Sequence, residues 1–364
     1  MTVKKLIVPF YERLAFVLLG LMALGYLVVE GKELLDPLIF GFLFAILLMP
    51  VASFLERKLR LPRSLSSFFS IILLVSFVGG ILYLVGSQIS SLASDWPKLQ
   101  GQVSQSISDL QDWIASAFHI NASKQMVYVH DTTKKIIASG TDVLGTTFGA
   151  VSSLMLFYAF IMIFTFLILF YRRLLLRFVV WVFREENKVI VFDIVENIQS
   201  ILRQYILGLL LEMAIVAVVA CAAFFFIGIK YAVLLGLIVG LFNIIPYIGI
   251  FTALLLSTII TFATGTINQA LIVAVSVIII HAIDSNVLLP TIVGSKVRLN
   301  ALITFIGIVF GEMMWGLSGM FLSIPIIAIL KIIFDRIESL KPWGFLLGGS
   351  YEYDKTEEKK MKTE

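Results

Sequence analysis

The chain has 364 residues, of which 59% are hydrophobic and 14% are charged, and its mean hydropathy is +1.00. A soluble domain has about 25% charged residues and about 45–50% apolar residues, so this composition excludes a soluble globular protein and predicts an all-α, polytopic transmembrane protein. The net charge of +4 does not indicate nucleic-acid binding, because the basic residues lie in loops beside the apolar segments, as the positive-inside rule describes.

Three apolar segments predict that residues 1–86 form an N-terminal membrane region. The basic loop Glu56–Arg63 follows the second segment and indicates that this end lies in the cytoplasm, as the basic residues before the first segment do for the N-terminus. A slightly acidic turn that includes Asp36 is expected on the outer side. The three predicted spans are Leu14–Val29, Pro37–Leu55 and Leu65–Val85.

Residues 87–147 form a long polar segment. Apolar side chains at helical spacing predict amphipathic helices outside the membrane, at its interface or against a neighbour; a loosely folded connector is the alternative. The next region, residues 148–204, is predicted to contain a fourth span, Gly149–Tyr171, and a cytoplasmic amphipathic helix, Glu185–Arg203. The arginines between these two helices indicate the cytoplasmic side.

An apolar run from Tyr231 to Phe262 follows the fifth predicted span, Tyr205–Ile229, and is too long for one untilted crossing of about 20 residues. Pro246 and Gly249 interrupt it, and Asn243 places an amide in hydrocarbon. Because a broken backbone in lipid must be buried in protein or line a cavity, this stretch predicts a helical hairpin or discontinuous helix at a transport site. A single kinked span is the alternative.

A second broken run, Ala301–Ile333, follows the sixth predicted span, Ala270–Leu289, which Pro290 is expected to close. Each hairpin arm is expected to have about 15 residues, as a re-entrant loop or a short span. Residues 205–335 would thus form a transport core of span, hairpin, span and hairpin, and residues 336–364 a cytoplasmic tail that is disordered past Gly349. The second break is predicted among Gly311, Glu312, Gly316, Ser318, Gly319 and Pro325.

The basic loops determine how the two hairpins are oriented. Lys296, Arg298 and Lys331 are expected in the cytoplasm, so the second hairpin enters and leaves on the inner side and the first on the outer side. The C-terminal half is therefore predicted to be an inverted repeat of two broken hairpins. This pattern is typical of secondary transporters with a site near the middle of the membrane.

Polar residues inside the predicted spans are the candidate site, since charges at that depth are costly and usually functional. The carboxylates are Glu212, Asp284 and Glu312, which could bind a proton or a cation such as Na⁺. Glu312 is favoured because helix geometry is expected to fail around it. The alternatives are that Glu212 pairs with Arg203 and that Asp284, with Asn286, caps a helix.

Other chemistry is not indicated by the sequence. Its histidines have no metal-ligand spacing, and it has no phosphate-binding loop and no nucleophile motif. We therefore expect no enzyme activity, no cofactor and no metal. The single cysteine, Cys221, cannot form an intrachain disulfide and is interpreted as a packing residue.

Four blocks in order resemble the autoinducer-2 exporter family of membrane transporters: Ile201–Gly208, Asn243–Gly249, Asp284–Gly294 and Gly311–Pro325. The resemblance covers most of the C-terminal half and adds Tyr247 and Pro290 to the candidate site, which already includes Pro246 and Gly249 at the break and Asn243 and Asn286 as uncharged polar companions of the carboxylates. One departure is Asn300–Ala301, where many relatives have His-Pro.

The resemblance implies an oligomeric bacterial inner-membrane transporter. Family members have been linked to export of the quorum-sensing signal autoinducer-2 and, in some cases, to Na⁺(Li⁺)/H⁺ antiport.

Three hypotheses follow for the function. The first is an ion-gradient-driven secondary exporter of a small polar organic molecule such as autoinducer-2, with H⁺ or Na⁺ as the coupling ion. The second is a Na⁺(Li⁺)/H⁺ antiporter, and the third is a membrane scaffold that transports nothing. In each case the protein is expected to be a multi-pass inner-membrane homo-oligomer with both termini in the cytoplasm and no nucleic-acid partner.

Overall fold

A computed structural model describes residues 9–95, 155–245, 248–294 and 299–348, together with Gly101. This described part is 92% helical without strands, and six of its helices are long and apolar enough to cross a membrane. The predicted all-α, polytopic fold is thereby confirmed. The helices are α1 (Phe10–Glu30), α2 (Lys32–Lys58), α3 (Arg63–Ser94), α4 (Met155–Val182), α5 (Lys188–Ile227), α6 (Ala232–Phe242), α7 (Ile248–Thr264), α8 (Ile267–Ile283), α9 (Ala301–Trp315), α10 (Leu317–Arg336) and α11 (Lys341–Gly348).

Helix α3 extends beyond the predicted end of the third span. Ser87, Ser91 and Ser94 were expected in the polar segment, but they lie in the last turns of the helix, and each hydroxyl donates to a backbone carbonyl three or four residues earlier. Serine can thus remain in a helix without an external partner. Apart from Gly101, the rest of the predicted amphipathic segment lies outside the described residues.

The cytoplasmic amphipathic helix and the fifth span predicted from the sequence form one continuous helix, α5, of 40 residues. At 1.5 Å per residue it is about 60 Å long, roughly twice the hydrocarbon thickness of a bilayer. It ends at Gly228, whose φ of 79° is left-handed and therefore suits glycine. In the turn that follows, Lys230 donates a hydrogen bond to Asp95, and this bond raises the pKa of Lys230 above its usual value.

The first hairpin consists of α6 and α7, which are separated by a break after Phe242, within the run that the sequence predicts to be interrupted. Helix α6 packs closely on α5, because glycines replace side chains at the contact. A Cβ at Gly236 would overlap the backbone of Cys221, and one at Gly240 would lie within 3.0 Å of the Ala217 backbone. Cys221 is therefore a packing residue at this contact. Pro246 and Tyr247 lie outside the described residues.

The second hairpin consists of α9 and α10 and turns at Gly316, which has a φ of 68°. The sequence-based expectation that helix geometry fails at Glu312 is wrong, because Glu312 lies inside α9. Pro325 does not break the run either, since it is buried inside α10. As a result α10 has 20 residues, so the expected arm length of about 15 residues is also wrong for this arm.

The sixth span extends beyond its predicted end at Leu289. Helix α8 stops at Ile283, but π-helical segments continue it over Asp284–Leu288 and Pro290–Gly294, so Pro290 does not close the span. A π turn inserts one residue into the helical repeat and often marks a functional site. Thr291, in the second segment, donates its hydroxyl to the carbonyl of Val287.

The beginning and the end of the second hairpin are fixed by polar contacts. The Asn300 side chain accepts a hydrogen bond from the Leu302 amide and so caps α9, and the backbone N–H of Asn300 donates to the backbone carbonyl of Leu347 in α11. The start of the expected tail therefore forms a helix that packs on α10. Residues 349–364 lie outside the described residues, and so do the basic residues Lys296 and Arg298. The inverted orientation of the two hairpins stays a prediction.

Apolar clusters join the N-terminal helices to the C-terminal half. One cluster connects α2 with α5 and α10, a second connects α2, α3 and α4, and a third lies among α5, α6, α7 and α8. Helix α2 therefore packs on α3 and α4 as well as on the second hairpin, and α1 also contacts the second hairpin at α9. The buried members of the first cluster are Leu43, Ile46, Leu202, Tyr205, Ile206, Trp315 and Leu322.

The close approach of α9 and α10 yields a test of the second hairpin. A Cβ at Gly311 would overlap the carbonyl oxygen of Gly319 and the hydroxyl of Ser323. We expect Gly311→Ala to destabilise the protein by about 1–3 kcal/mol, the usual cost of overpacking, and to lower the unfolding temperature in detergent. Gly79→Ala is the control, because no atom lies within 4 Å of its added Cβ. Equal unfolding temperatures for the two variants would contradict the packing described here.

Candidate functional site

Three polar side chains meet inside the protein where the first hairpin breaks. The Asn243 Nδ2 atom lies 3.2 Å from Glu212 Oε1 and 3.1 Å from Asp284 Oδ2 and donates a hydrogen bond to each. Glu212 and Asp284 are each 3% exposed. We call Glu212, Asn243 and Asp284 the carboxylate–amide cluster. All three are residues that the sequence singled out.

The register of two helices positions the cluster. Gly236 of α6 contacts Cys221 of α5, and Gly240 contacts Ala217. The two helices are therefore antiparallel. The next step in this antiparallel register places Asn243, the C-cap of α6, beside Glu212. The break at the end of α6 thus turns an amide towards α5 at the position where α5 carries a carboxylate.

Asp284 comes from the other side of the cluster, at the first residue of the π-helical segment after α8. It is also the C-cap residue of α8, as one sequence-based alternative expected. Its side chain, however, accepts from Asn243, so capping does not account for its burial. The other alternative, a pair between Glu212 and Arg203, is wrong. These residues lie nine apart on one continuous helix, about 13 Å along its axis.

The cluster contains two carboxylates, and Asn243 is the hydrogen-bond donor to both of them. Glu212 Oε2 and Asp284 Oδ1 are buried and have no hydrogen-bond partner among the described residues. Two carboxylates repel each other strongly where water is excluded, and a neutral amide cannot cancel either charge. A bound proton or cation would offset this repulsion. Oxygen ligands of this kind suit protons and hard cations such as Na⁺.

The remaining sequence-based candidates lie at different places. Gly249 is buried beside the break, where a Cβ would overlap the Phe242 carbonyl oxygen. Asn286 and Pro290 are exposed, and the Asn286 amide donates to the Ala282 carbonyl. Glu312 is exposed on α9. Pro246 and Tyr247 lie outside the described residues, so their assignment to the site stays a prediction.

A second buried polar contact was missed by the sequence analysis. Asp36, which was expected in an outer turn, is 5% exposed near the start of α2 and accepts a 2.6 Å hydrogen bond from Ser318 of the second hairpin. Beside it, the Trp315 indole N–H donates to the Val28 carbonyl of α1. The signal in the sequence was an aspartate next to Pro37 at the start of an apolar run.

Metal sites of the usual composition are absent from the described residues. No group of three or more histidine, cysteine, aspartate or glutamate side chains could hold a metal ion there. His281 instead lies 3.1 Å from the Ser285 hydroxyl, one turn further along the same helix.

Comparison with known proteins gives matches over nearly the whole chain. A family model described as AI-2E family transporter matches residues 14–339. The putative transport protein YrrI of Bacillus subtilis is 28% identical over 83% of this chain and 86% of its own length. The AI-2 transport protein TqsA of Escherichia coli is 22% identical over 84% of this chain and 87% of its own length.

The amide at the centre of the cluster can be tested by its effect on stability. Asn243→Ala removes the donor shared by two buried carboxylates, and we expect it to lower the free energy of unfolding by about 1–3 kcal/mol. Asn286→Ala is the matched control, because that exposed amide bonds only within its own helix and its loss should cost about 0.5 kcal/mol or less. Thermal unfolding in detergent measures both. Adding Glu212→Gln to Asn243→Ala should restore part of the loss, because it removes one of the two repelling charges.

Proposed function

The chain belongs to the AI-2E family of transporters, and on this premise we propose that it is an ion-gradient-driven secondary transporter. Its cargo in this proposal is a small polar organic molecule such as autoinducer-2, exported by alternating access. We place it in the bacterial inner membrane as a homo-oligomer with both termini in the cytoplasm. The name of TqsA supports the cargo, and the basic loops of the sequence support the orientation.

The carboxylate–amide cluster is the observation that supports ion coupling. Glu212 and Asp284 have two buried oxygen atoms without partners among the described residues. When the site faces the side of high ion concentration, a proton or Na⁺ would bind between the carboxylates and cancel their repulsion. When it faces the other side, the ion would leave and the repulsion would return. The gradient can thereby shift the balance between the two orientations.

Asn243 joins this ion site to the first hairpin. Its amide is the hydrogen-bond donor to both carboxylates and also the residue at which α6 ends. A change in the charge of either carboxylate therefore acts directly on the broken end of the hairpin. In this proposal the cargo binds beside the break, where backbone groups freed from the helix can reach a polar solute.

We further propose that the hairpins, together with α5 and α8, move as one body against α2, α3 and α4. The packing of α6 on α5 and of α9 on α10 supports a rigid core. The contacts between the two bodies include a hydrogen bond from Ser318 to Asp36 and the apolar cluster around Ile46 and Leu202. Neither contact is covalent, and both can re-form at another position.

The alternative is a Na⁺(Li⁺)/H⁺ antiporter. It is favoured by the small number of groups in the cluster, since two carboxylates and one amide suffice for a proton or a monovalent cation. In that case the carboxylates would bind the transported ions themselves, and Glu312 on the second hairpin would be a candidate for a separate ion ligand.

Transport by the purified protein in liposomes separates these possibilities. We expect labelled autoinducer-2 to accumulate under an imposed H⁺ or Na⁺ gradient. Glu212→Gln and Asp284→Asn should abolish the dependence on the gradient, because an amide cannot exchange a proton or balance a cation. Glu186→Gln is the control, since that exposed carboxylate lies outside the predicted spans.

Failure of the transport proposal has two distinct forms. A Na⁺-evoked pH change without solute flux would establish the antiporter, and Glu312→Gln would then show whether the second hairpin contributes a ligand. An absence of both solute flux and ion exchange under every gradient would overturn the assignment of a secondary transporter.

The proposed rigid-body motion predicts that a covalent link between α2 and α5 stops transport. Met49 and Gln199 line the same two cavities between these helices, so cysteines at these positions in a Cys221→Ser background can be joined by a cleavable cross-linker. Flux should be lost on cross-linking and return on cleavage. Either single-cysteine variant treated in the same way is the control, and unchanged flux in the linked protein would contradict the motion.

A further inference from the structure

Two adjoining cavities at the basic ends of α2 and α4 differ completely in chemistry. The first, of about 520 Å³, lies among α2, α4 and α5 and is lined almost entirely by aliphatic and aromatic side chains. The second, of about 460 Å³, lies between the end of α2, the start of α3 and α4 and is lined by charged residues. Met49 and Arg172 line both, so the apolar and the charged cavity meet at these two side chains.

The charged cavity is strongly basic. Its charged lining residues are four arginines and one glutamate, namely Arg57, Arg63, Arg172, Arg173 and Glu56. Arg172 donates a 2.6 Å hydrogen bond from Nη2 to Glu56, which neutralises this one carboxylate. The other terminal nitrogen of Arg172, Nη1, is buried and has no hydrogen-bond partner among the described residues. A buried guanidinium nitrogen without an acceptor is costly, and its two N–H donors would suit a phosphate oxygen.

The apolar cavity has the dimensions of a fatty acyl chain. Along α2 its lining extends from Leu38 to Met49, which is about 16 Å at 1.5 Å per residue. This is about half of the 30 Å hydrocarbon core of a bilayer, the depth of one leaflet. A ligand that fills both cavities must therefore have a long apolar part and an anionic head at one end.

We propose that these cavities form a specific binding site for an anionic phospholipid, with its phosphate at Arg172 and an acyl chain in the groove among α2, α4 and α5. The positive-inside rule accounts for arginines on this side of the membrane, but it does not account for the buried Arg172 Nη1 atom that has no acceptor among the described residues beside an apolar groove. Basic pockets at the ends of membrane helices are known to bind anionic headgroups. The site lies outside the carboxylate–amide cluster and does not depend on the proposed transport function. It lies between α2 and α5, so a bound lipid would contact both bodies proposed to move.

The first test uses the unaltered, full-length protein in a neutral detergent. Phosphatidylglycerol should raise its unfolding temperature, because a ligand that binds only the folded state stabilises it. Phosphatidylcholine with the same acyl chains and inorganic phosphate at the same concentration should each have little effect. If phosphatidylcholine raised the unfolding temperature as much as phosphatidylglycerol, the proposed headgroup specificity would be overturned. If inorganic phosphate did so, the site would bind an anion and the lipid proposal would be overturned.

A second test compares variants that keep the Arg172–Glu56 pair intact. The double variant Arg57→Gln, Arg173→Gln removes two exposed charges of the basic cavity. It should bind phosphatidylglycerol about thirtyfold more weakly, from the usual contribution of two basic residues near an anionic lipid. Arg177→Gln is the matched control, since this exposed arginine lies on α4 but lines neither cavity. Equal lipid affinity in the double variant and the control would overturn the proposal.

Discussion

One neutral amide holds two buried carboxylates together, and the arrangement of the C-terminal half depends on it. Asn243 belongs to the first hairpin, Glu212 to the long helix α5 and Asp284 to the π-helical continuation of α8. Its two hydrogen bonds therefore connect three separate elements. Without an added positive charge this arrangement is electrostatically unfavourable, and such instability is what an ion-driven transporter requires of its ion site.

The broken helices are supported by contacts with α5 or by a glycine. Lipid provides no hydrogen-bond partners, so every interrupted backbone segment must be satisfied from within the protein. The first break lies against α5, the π-helical segments also pack on α5, and the second hairpin turns at Gly316. The length and continuity of α5 thus allow the neighbouring helices to be discontinuous.

The N-terminal helices contact this core through α2 and at two further points, where the Val28 carbonyl of α1 accepts from Trp315 and Asp95 at the end of α3 accepts from Lys230. The side of α2 that faces the second hairpin carries Asp36, bonded to Ser318, and apolar residues that pack on α5 and α10. The other side packs on α3 and α4 and forms the wall of the apolar and basic cavities. Helix α2 is consequently the element through which lipid, the N-terminal helices and the second hairpin can affect one another.

The sequence by itself determined the membrane class, the interruption of the apolar run around Asn243 and the identity of Glu212, Asn243 and Asp284 as unusual residues, because hydrophobic length and the cost of polar groups in lipid are local properties. It could not show that these three residues meet, since their contact depends on the register of α6 on α5, which Gly236 and Gly240 allow. For the same reason the sequence could not single out Gly316 among the residues predicted to break the second run. Glycine, proline and glutamate all occur in that run, and tertiary packing keeps the helix continuous at Glu312 and Pro325 while the chain turns at Gly316. Only the tertiary structure decided that Asp36 is buried, because its partner Ser318 lies 282 residues away in the chain.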